Sequence, residues 1–329
     1  MSLRSCAFAI EASGGGVSAG RRGGRSTEPD DECGLGRTAG ALAVDLGGTR
    51  LRAGRLQAGR AIEIEDIGVW PAPRDLDSFQ TMVGDLVERF AVSSLGLAVP
   101  GLVQGTCCRW IPNLPYLDDV DVAELFPGVT IGIGNDAQIA LLAEATAGAA
   151  AGLSNAILLA IGTGIGSAVL ADGGIVRGKQ GSACSFGWAC ADLRDRGHDR
   201  NGWLERMAAG GALDRLAEDL IGLPDGPALV MAARRADPAA LAAIQSVARP
   251  LGVALAGAVG LLGPEVILLA GGVAAAADVL ASPLLEAMRP HLPPHLRDVE
   301  VRVGAFGPRA GLVGAGIAAA TGPDWWRVR

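Results

Sequence analysis

Three times in this chain an apolar run stops at a turn made almost wholly of glycine. The first lies in residues 41–52, ALAVDLGGTRLR, where Asp45 precedes Gly47-Gly48-Thr49 and a second strand-like run follows. The second is Gly162-Thr163-Gly164-Ile165-Gly166, again between apolar runs, and the third is Ala270-Gly271-Gly272-Val273. A turn with few side chains at its tip lets backbone N–H groups and a threonine hydroxyl approach a phosphate closely. Two glycines in one hairpin are ordinary turn chemistry, so DxGGT alone carries little. Three such turns, each closing a strand, are hard to explain by hairpin sterics. Asp45, at the end of its strand, is a carboxylate suited to a hydrated Mg²⁺.

The order of elements around these turns repeats. Residues 41–44, 51–56 and 61–69 read as three antiparallel strands. Residues 76–90 read as an amphipathic helix, 94–99 and 129–133 as strands, and 137–149 as an Ala-rich helix for which Asp136 is a candidate N-cap. Residues 155–161, 166–171 and 174–176 are strands again. Helices are expected at 202–220, 227–233 and 239–262, the last kinked or broken at Pro250. A strand at 265–270, a helix at 276–288, a strand at 300–303 and a helix at 310–320 complete the chain. Two successive β-β-β-α-β-α units predict an α/β fold duplicated around a cleft, with residues 45–49 and 162–166 facing each other across it.

Composition narrows the function. Half of the 329 residues are hydrophobic and only 4% are aromatic, so Ala, Val, Leu and Gly must fill the interior by close backbone packing. The net charge is −7, and no basic block interleaves with aromatics, which argues against nucleic-acid binding. No apolar run reaches spanning length; residues 251–270 come closest, split by Gly263-Pro264-Glu265. The six cysteines, Cys6, Cys33, Cys107, Cys108, Cys184 and Cys190, contain no CxxC pair and read as free or buried thiols of a cytoplasmic protein. Residues 1–40, rich in Gly, Ser and Arg without apolar periodicity, read as a disordered extension.

The motifs in sequence resemble the ROK family of sugar kinases and sugar-responsive repressors, within the actin-like ATPase (ribonuclease H-like) fold. The resemblance runs from residue 41 to the C-terminus. It is carried by DLGGT, by Ala98-Val99-Pro100-Gly101-Leu102-Val103, by Pro112-Asn113-Leu114-Pro115, by Gly134-Asn135-Asp136-Ala137, by the Gly162–166 turn and by the segment 264–273. It implies an N-terminal lobe over 41–135, a C-terminal lobe over 136–310, and a closing helix, 311–329, packed back on the first lobe. It also implies a kinase using ATP and Mg²⁺ and acting on a primary hydroxyl of a hexose or hexose-like ring. Asp136 would be the general base, its alternative being a helix cap only. Asn113 and Asn135 would bind sugar hydroxyls, since amides both donate and accept; Asn113 could equally be a turn residue. Gly47, Gly48, Thr49, Gly162, Thr163 and Gly164 would hold phosphates, Asp45 the Mg²⁺ through water, and Gly271 and Gly272 the adenosine. A homodimer is implied as well.

The chain departs from the family where GxxGxAGExGH and a CxCGxxGCLE segment are usual. Ser185 stands where a sugar-binding Glu is expected and Trp188 where a His is, while the later cysteines are replaced within residues 197–205, which keep Gly202, Leu204 and Glu205. The structural zinc site is therefore expected to be absent, with Trp188 and Trp203 packing in its place. Glu205 is expected to touch substrate. Losing a Glu and a His near the anomeric end favours a modified sugar or a C7-cyclitol over a plain aldose. A glucokinase-type hexose kinase and a non-catalytic sugar-responsive regulator are the alternatives. A repressor would need an N-terminal helix-turn-helix, for which residues 1–40 show no helical period.

Overall fold

The computed structural model describes residues 40–57 and 62–328. The expected extension over residues 1–40 therefore lies almost wholly outside the described residues, as do Cys6 and Cys33.

Two five-stranded sheets repeat one topology. The first has the order β3-β2-β1-β4-β7, with β1 (Ala41–Leu46), β2 (Arg50–Leu56), β3 (Ile64–Pro71), β4 (Ser94–Val99) and β7 (Thr130–Asn135). The second has the order β10-β9-β8-β11-β12, with β8 (Ala156–Ile161), β9 (Ile165–Ala171), β10 (Gly174–Ile175), β11 (Val266–Ala270) and β12 (Glu300–Val303). In each, the first three strands are antiparallel and the last two are parallel additions. A hairpin of β5 (Leu102–Gln104) and β6 (Cys107–Trp110) forms a small third sheet that the sequence reading did not foresee.

Strand alternation sorts the core into layers. On β1, Leu42, Val44 and Leu46 face a cluster built with Phe79 and Val83 of α1 (Leu76–Arg89), while Ala43 faces the other way. That other face meets α9 (Ala310–Thr321), which lies directly on the sheet: a side chain at Gly96 or Gly132 would strike the backbone of Ala315 or Ala318. α3 (Asp136–Ala147) pairs with α9 and with β9, so these two helices fill the space between the sheets. On the far side of the second sheet, Ile157, Leu159, Ile267 and Leu269 pack against α4 (Trp203–Ala208), α5 (Gly210–Leu216), α6 (Gly226–Arg234), α7 (Pro238–Leu262) and α8 (Ala277–Met288). One further short helix, α2 (Val122–Leu125), precedes β7.

Three helix expectations need correction. The cap of α3 is Asn135, whose side-chain oxygen accepts from the Ala137 N–H at 3.0 Å, and Asp136 is the first helical residue. The helix expected at 202–220 is broken at Ala209, which is extended (ψ 171°), because the Gly210 N–H bonds to Gly162 O at 2.7 Å instead of continuing the helix. α7 runs as one 25-residue helix through Pro250, which does not break it. By length and composition α7 could cross a membrane, but half of its apolar window is buried inside the protein, with Ala243, Val247, Leu251, Leu255 and Val259 in the core.

Candidate active site

The glycine turns gather at the C-terminal ends of β1 and β8. In the first, the Gly47 N–H closes onto Arg50 O at 2.8 Å, leaving Gly48 and Thr49 exposed at the tip. In the second, the Gly162 N–H bonds Gly164 O at 2.9 Å and Thr163 is exposed. The third turn needs its glycine. Gly271 has φ +76°, and a Cβ there would fall 2.5 Å from Ile161 O. This contact sets the third turn against the end of β8.

Two cavities meet at these turns. One, of about 550 Å³, is lined by Gly162, Thr163 and Gly272 together with apolar groups that include Leu213, Pro227, Val230 and Met231. The other, of about 540 Å³, is lined by Asp45, Gly47, Thr49, Arg52, Gly271 and Gly272 among others. Gly272 lines both, so the apolar chamber and the glycine-walled one, which includes the Asp45 carboxylate, share a wall. The sequence reading missed the apolar wall: Gly210, Gly211, Asp214 and the residues of α6. A signal was present, because a Gly210-Gly211 pair inside an otherwise helical pattern is itself a breaker. In that wall Arg234 is locked by two 2.8 Å bonds to Asp278, and Asp214 accepts from the Gly226 N–H at 2.8 Å.

Asp45 faces α9, where a Cβ on Gly311 would fall 3.0 Å from its carboxyl. Arg52 lies opposite in the β1–β2 register and donates to Pro308 O at 2.7 Å. Burial raises the Asp45 pKa, and Arg52 only partly offsets it. The donor set here is oxygen and the carboxylate lacks a full counter-charge, which fits a hard divalent cation. Among the described residues no group of three His, Cys, Asp or Glu is placed to hold a metal.

Asp136 opens to water yet is crowded on its other sides at the start of α3. Burial pushes its pKa up to about 6, and the nearby Asp45 charge adds to this, while the Ala137 N–H, 2.7 Å away, and Asn135 pull it down. Asn135 spends one N–H on Gly101 O at 3.1 Å and its oxygen on the α3 cap. Asn113 stands on a turn pinned by buried Ile111 and Leu114, and Asp118 accepts from the Ile111 N–H at 2.6 Å. Its side chain lies against Gly48, where a Cβ would be 2.9 Å away.

Glu205 and Gly187, the latter between Ser185 and Trp188, both lie against Ile165. The Glu205 carboxylate accepts from Ile165 N–H at 3.2 Å and Gly202 N–H at 3.4 Å, so it caps α4 and ties it to the second glycine turn. Gly164 and Gly187 both lie against it. Trp203 is 9% exposed and packs in the core as expected, but Trp188 is 49% exposed and does not. The Ser185 carbonyl accepts from the Trp188 N–H at 3.0 Å. The 190s loop is held instead by an ion pair, Arg206 with both oxygens of Asp195 at 2.9 Å.

Comparison with known proteins identifies the family and the fold. The ROK family profile matches residues 41–321. A glucokinase of Halalkalibacterium halodurans is 27% identical over 84% of this chain and 93% of its own length. A kanosamine kinase of Amycolatopsis mediterranei is 30% identical over 71% and 80%. The crystal structure of a ROK family glucokinase from Streptomyces griseus, in complex with glucose and AMPPNP, superposes with a TM-score of 0.70 at 25% identity, covering 86% of this chain and all of that one. The chain belongs to the ROK family, and its fold is the actin-like ATPase fold.

Proposed function

We propose that this ROK family chain is an ATP-dependent kinase that phosphorylates a primary hydroxyl of a hexose or hexose-like ring, and that a modified sugar or C7-cyclitol suits it better than a plain aldose. The observation that carries the reading is the pair of cavities sharing Gly272. The apolar chamber has the size and lining for a nucleoside, and the glycine-walled one accommodates a polyphosphate at exposed backbone. The related structure with glucose and AMPPNP supports the same donor and acceptor classes.

In this reading Asp136 takes the proton from the acceptor hydroxyl as that oxygen bonds to the γ-phosphorus. The bond from that phosphorus to the bridging oxygen breaks, and ADP leaves. A base that titrates at about 6 is ionised at neutral pH and still basic enough to share a proton in the transition state. Asp45 would hold Mg²⁺ through water, a cation that neutralises phosphate charge. The backbone of residues 47–49 and 162–164 would orient the phosphates, and Asn113, against Gly48, would bind an acceptor hydroxyl beside them. Asn135 keeps the second N–H of its amide for the same purpose. Glu205 acts on the second phosphate turn through Ile165 as much as on substrate.

The acceptor side supports the preference for a modified ring. Ser185 and the half-exposed Trp188 offer an apolar face and one hydroxyl where the family usually places a Glu and a His. The test is a coupled ADP-release assay with Mg-ATP over glucose, mannose, their amino and N-acetyl derivatives, and valiolone-type cyclitols. Turnover strongest with an acceptor that lacks an ordinary anomeric hydroxyl is expected. Turnover of glucose alone overturns the preference. Silence with ATP still bound overturns the kinase in favour of a sugar-responsive regulator.

A further inference from the structure

The chain ends in a segment that touches both sheets. After α9, residues 322–324 make one tight turn, and two adjacent tryptophans follow, Trp325 within the core cluster between the sheets and Trp326 half-buried against it. Trp325 is 3% exposed; its indole N–H donates to Ile133 O at 2.9 Å, and its ring covers Gly134, where a Cβ would fall 2.5 Å away. Ile133 and Gly134 are the residues immediately before Asn135-Asp136. Trp326 belongs to the other sheet. Its carbonyl accepts from the Ile175 N–H at 2.8 Å, Val328 N–H donates to Gly173 O at 3.0 Å, and Arg327 bridges to Gly174 at the edge strand β10.

The Trp326 ring is stacked by two guanidinium groups, Arg177 at 4.4 Å and Arg327 at 4.7 Å. Arg177 is the root of the segment that carries Ser185 and Trp188. Its carbonyl accepts from the Ala183 N–H at 3.1 Å, which passes its position along the chain, and the next tie is Ser167 Oγ, which donates to the Cys184 carbonyl and accepts from the Phe186 N–H at 3.1 Å. The residue before it is held from the other side: Gln138 of α3, one half-turn beyond Asp136, donates to Val176 O at 3.3 Å.

We propose that Trp325 and Trp326 form a two-sided strap that fixes the separation between the Asp136 turn and the Ser185–Trp188 segment and thereby sets affinity for the acceptor. They are positioning residues, and neither need touch substrate. The proposal rests on the reading of those two segments as the acceptor side of a kinase. A tail that merely covered apolar surface would stabilise the protein uniformly. This one lands on the two backbone segments that lead into the site, one from each sheet.

The test compares Trp326→Ala, Trp326→Phe and Arg177→Met in the full chain, by steady-state kinetics and by amide hydrogen exchange. Losing a ring in contact with two guanidinium groups should raise the acceptor KM about tenfold, the size of one such contact expressed as an affinity, with kcat and the KM for ATP within twofold. Phe, which keeps a ring face, should recover most of the loss. Arg177→Met should reproduce the acceptor effect without altering the tail. Exchange should speed up across residues 176–188 in the Ala and Met variants and stay unchanged in β1 and β8. An unaltered acceptor KM with unaltered exchange at 176–188, beside a lowered Tm, overturns the strap and leaves a structural tail. If the wild-type chain phosphorylates no acceptor, the kinase reading fails, and the exchange pattern alone still decides whether the tail holds the segment.

Discussion

The Asp45 charge lies close enough to Asp136 to make it harder to ionise. For Asp136 the larger cause is burial, with the Asp45 charge second among the influences that raise it, and the result is a pKa of about 6. A base must be deprotonated, so kcat/KM should fall about tenfold per pH unit below that value; a profile flat down to pH 4.5 would remove Asp136 from the role. Asp136→Asn keeps an oxygen for the Ala137 N–H but has no proton affinity, and should lower kcat by about 10²–10⁴ with ATP affinity unchanged, read by titration calorimetry. The same shift has a stability consequence. A carboxyl whose folded pKa is raised adds stability below its unfolded value and loses it as pH rises through the folded one. Ionised Asp136 therefore costs stability at neutral pH, and the ligand-free Asn variant should have the higher Tm at pH 7.5. The gain is on the order of 1 kcal/mol, less than the full shift because water reaches the carboxylate. It should shrink through pH 6 and vanish below the ordinary value of 3.8. The Asn-Asp pair was legible in the sequence because the motif order singled it out. Its proton affinity was not, since that depends on Asp45, distant in the chain, and on how deeply the fold crowds the turn.

At the scale of elements, strands were read better than helices for a physical reason. A strand here is a short apolar run bounded by glycine turns, and β4 and β12 fall where the pattern places them. Helix ends depend on where backbone groups find partners. Ala209 ends α4 because Gly162 O offers the Gly210 N–H a bond from another element, which local sequence cannot reveal. The β5–β6 hairpin was missed because the Pro100-Gly101 punctuation reads as a loop and its strands are short. Glu144 is a related case. It sits fully buried in α3, where an Ala-rich pattern suggests only helix, yet its carboxylate accepts from Ala149 N–H at 2.8 Å, Ala305 N–H at 2.9 Å and Phe306 N–H at 3.0 Å. Those last two belong to the segment between β12 and α9, so one side chain joins the two inter-sheet helices. Glu144→Gln must turn an NH₂ toward at least one of these N–H groups. We expect a loss of about 2–4 kcal/mol, seen as a lower urea midpoint at unchanged m-value. A midpoint within experimental error of wild type would mean that the segment is held by other contacts.

For the whole molecule, the duplicated topology was legible because both halves repeat the same strand order and the same glycine turn after their first strand. What holds the halves together was not, since it is built from Ala, Gly and a terminal tryptophan that carry no strong pattern. One core cluster contains Ala43 and Ala98 of the first sheet, Leu158 and Leu268 of the second, Ile139 and Leu142 of α3, Val313 and Ile317 of α9, and Trp325. Neither sheet can shed α3 and α9 without baring one full face, so the two halves cannot unfold separately. That has a calorimetric signature. At about 0.7 kcal/mol per residue, unfolding the described part as one unit corresponds to an enthalpy of about 200 kcal/mol near 60 °C. If the lobes share their core, the ligand-free protein should melt in one transition whose van't Hoff enthalpy equals the calorimetric one. Two lobes melting independently would give a van't Hoff enthalpy near half the calorimetric value, even if their midpoints overlapped. The ratio of the two enthalpies thus separates two halves built on a common core from two domains that only touch, and a ratio near one half would refute the shared layer.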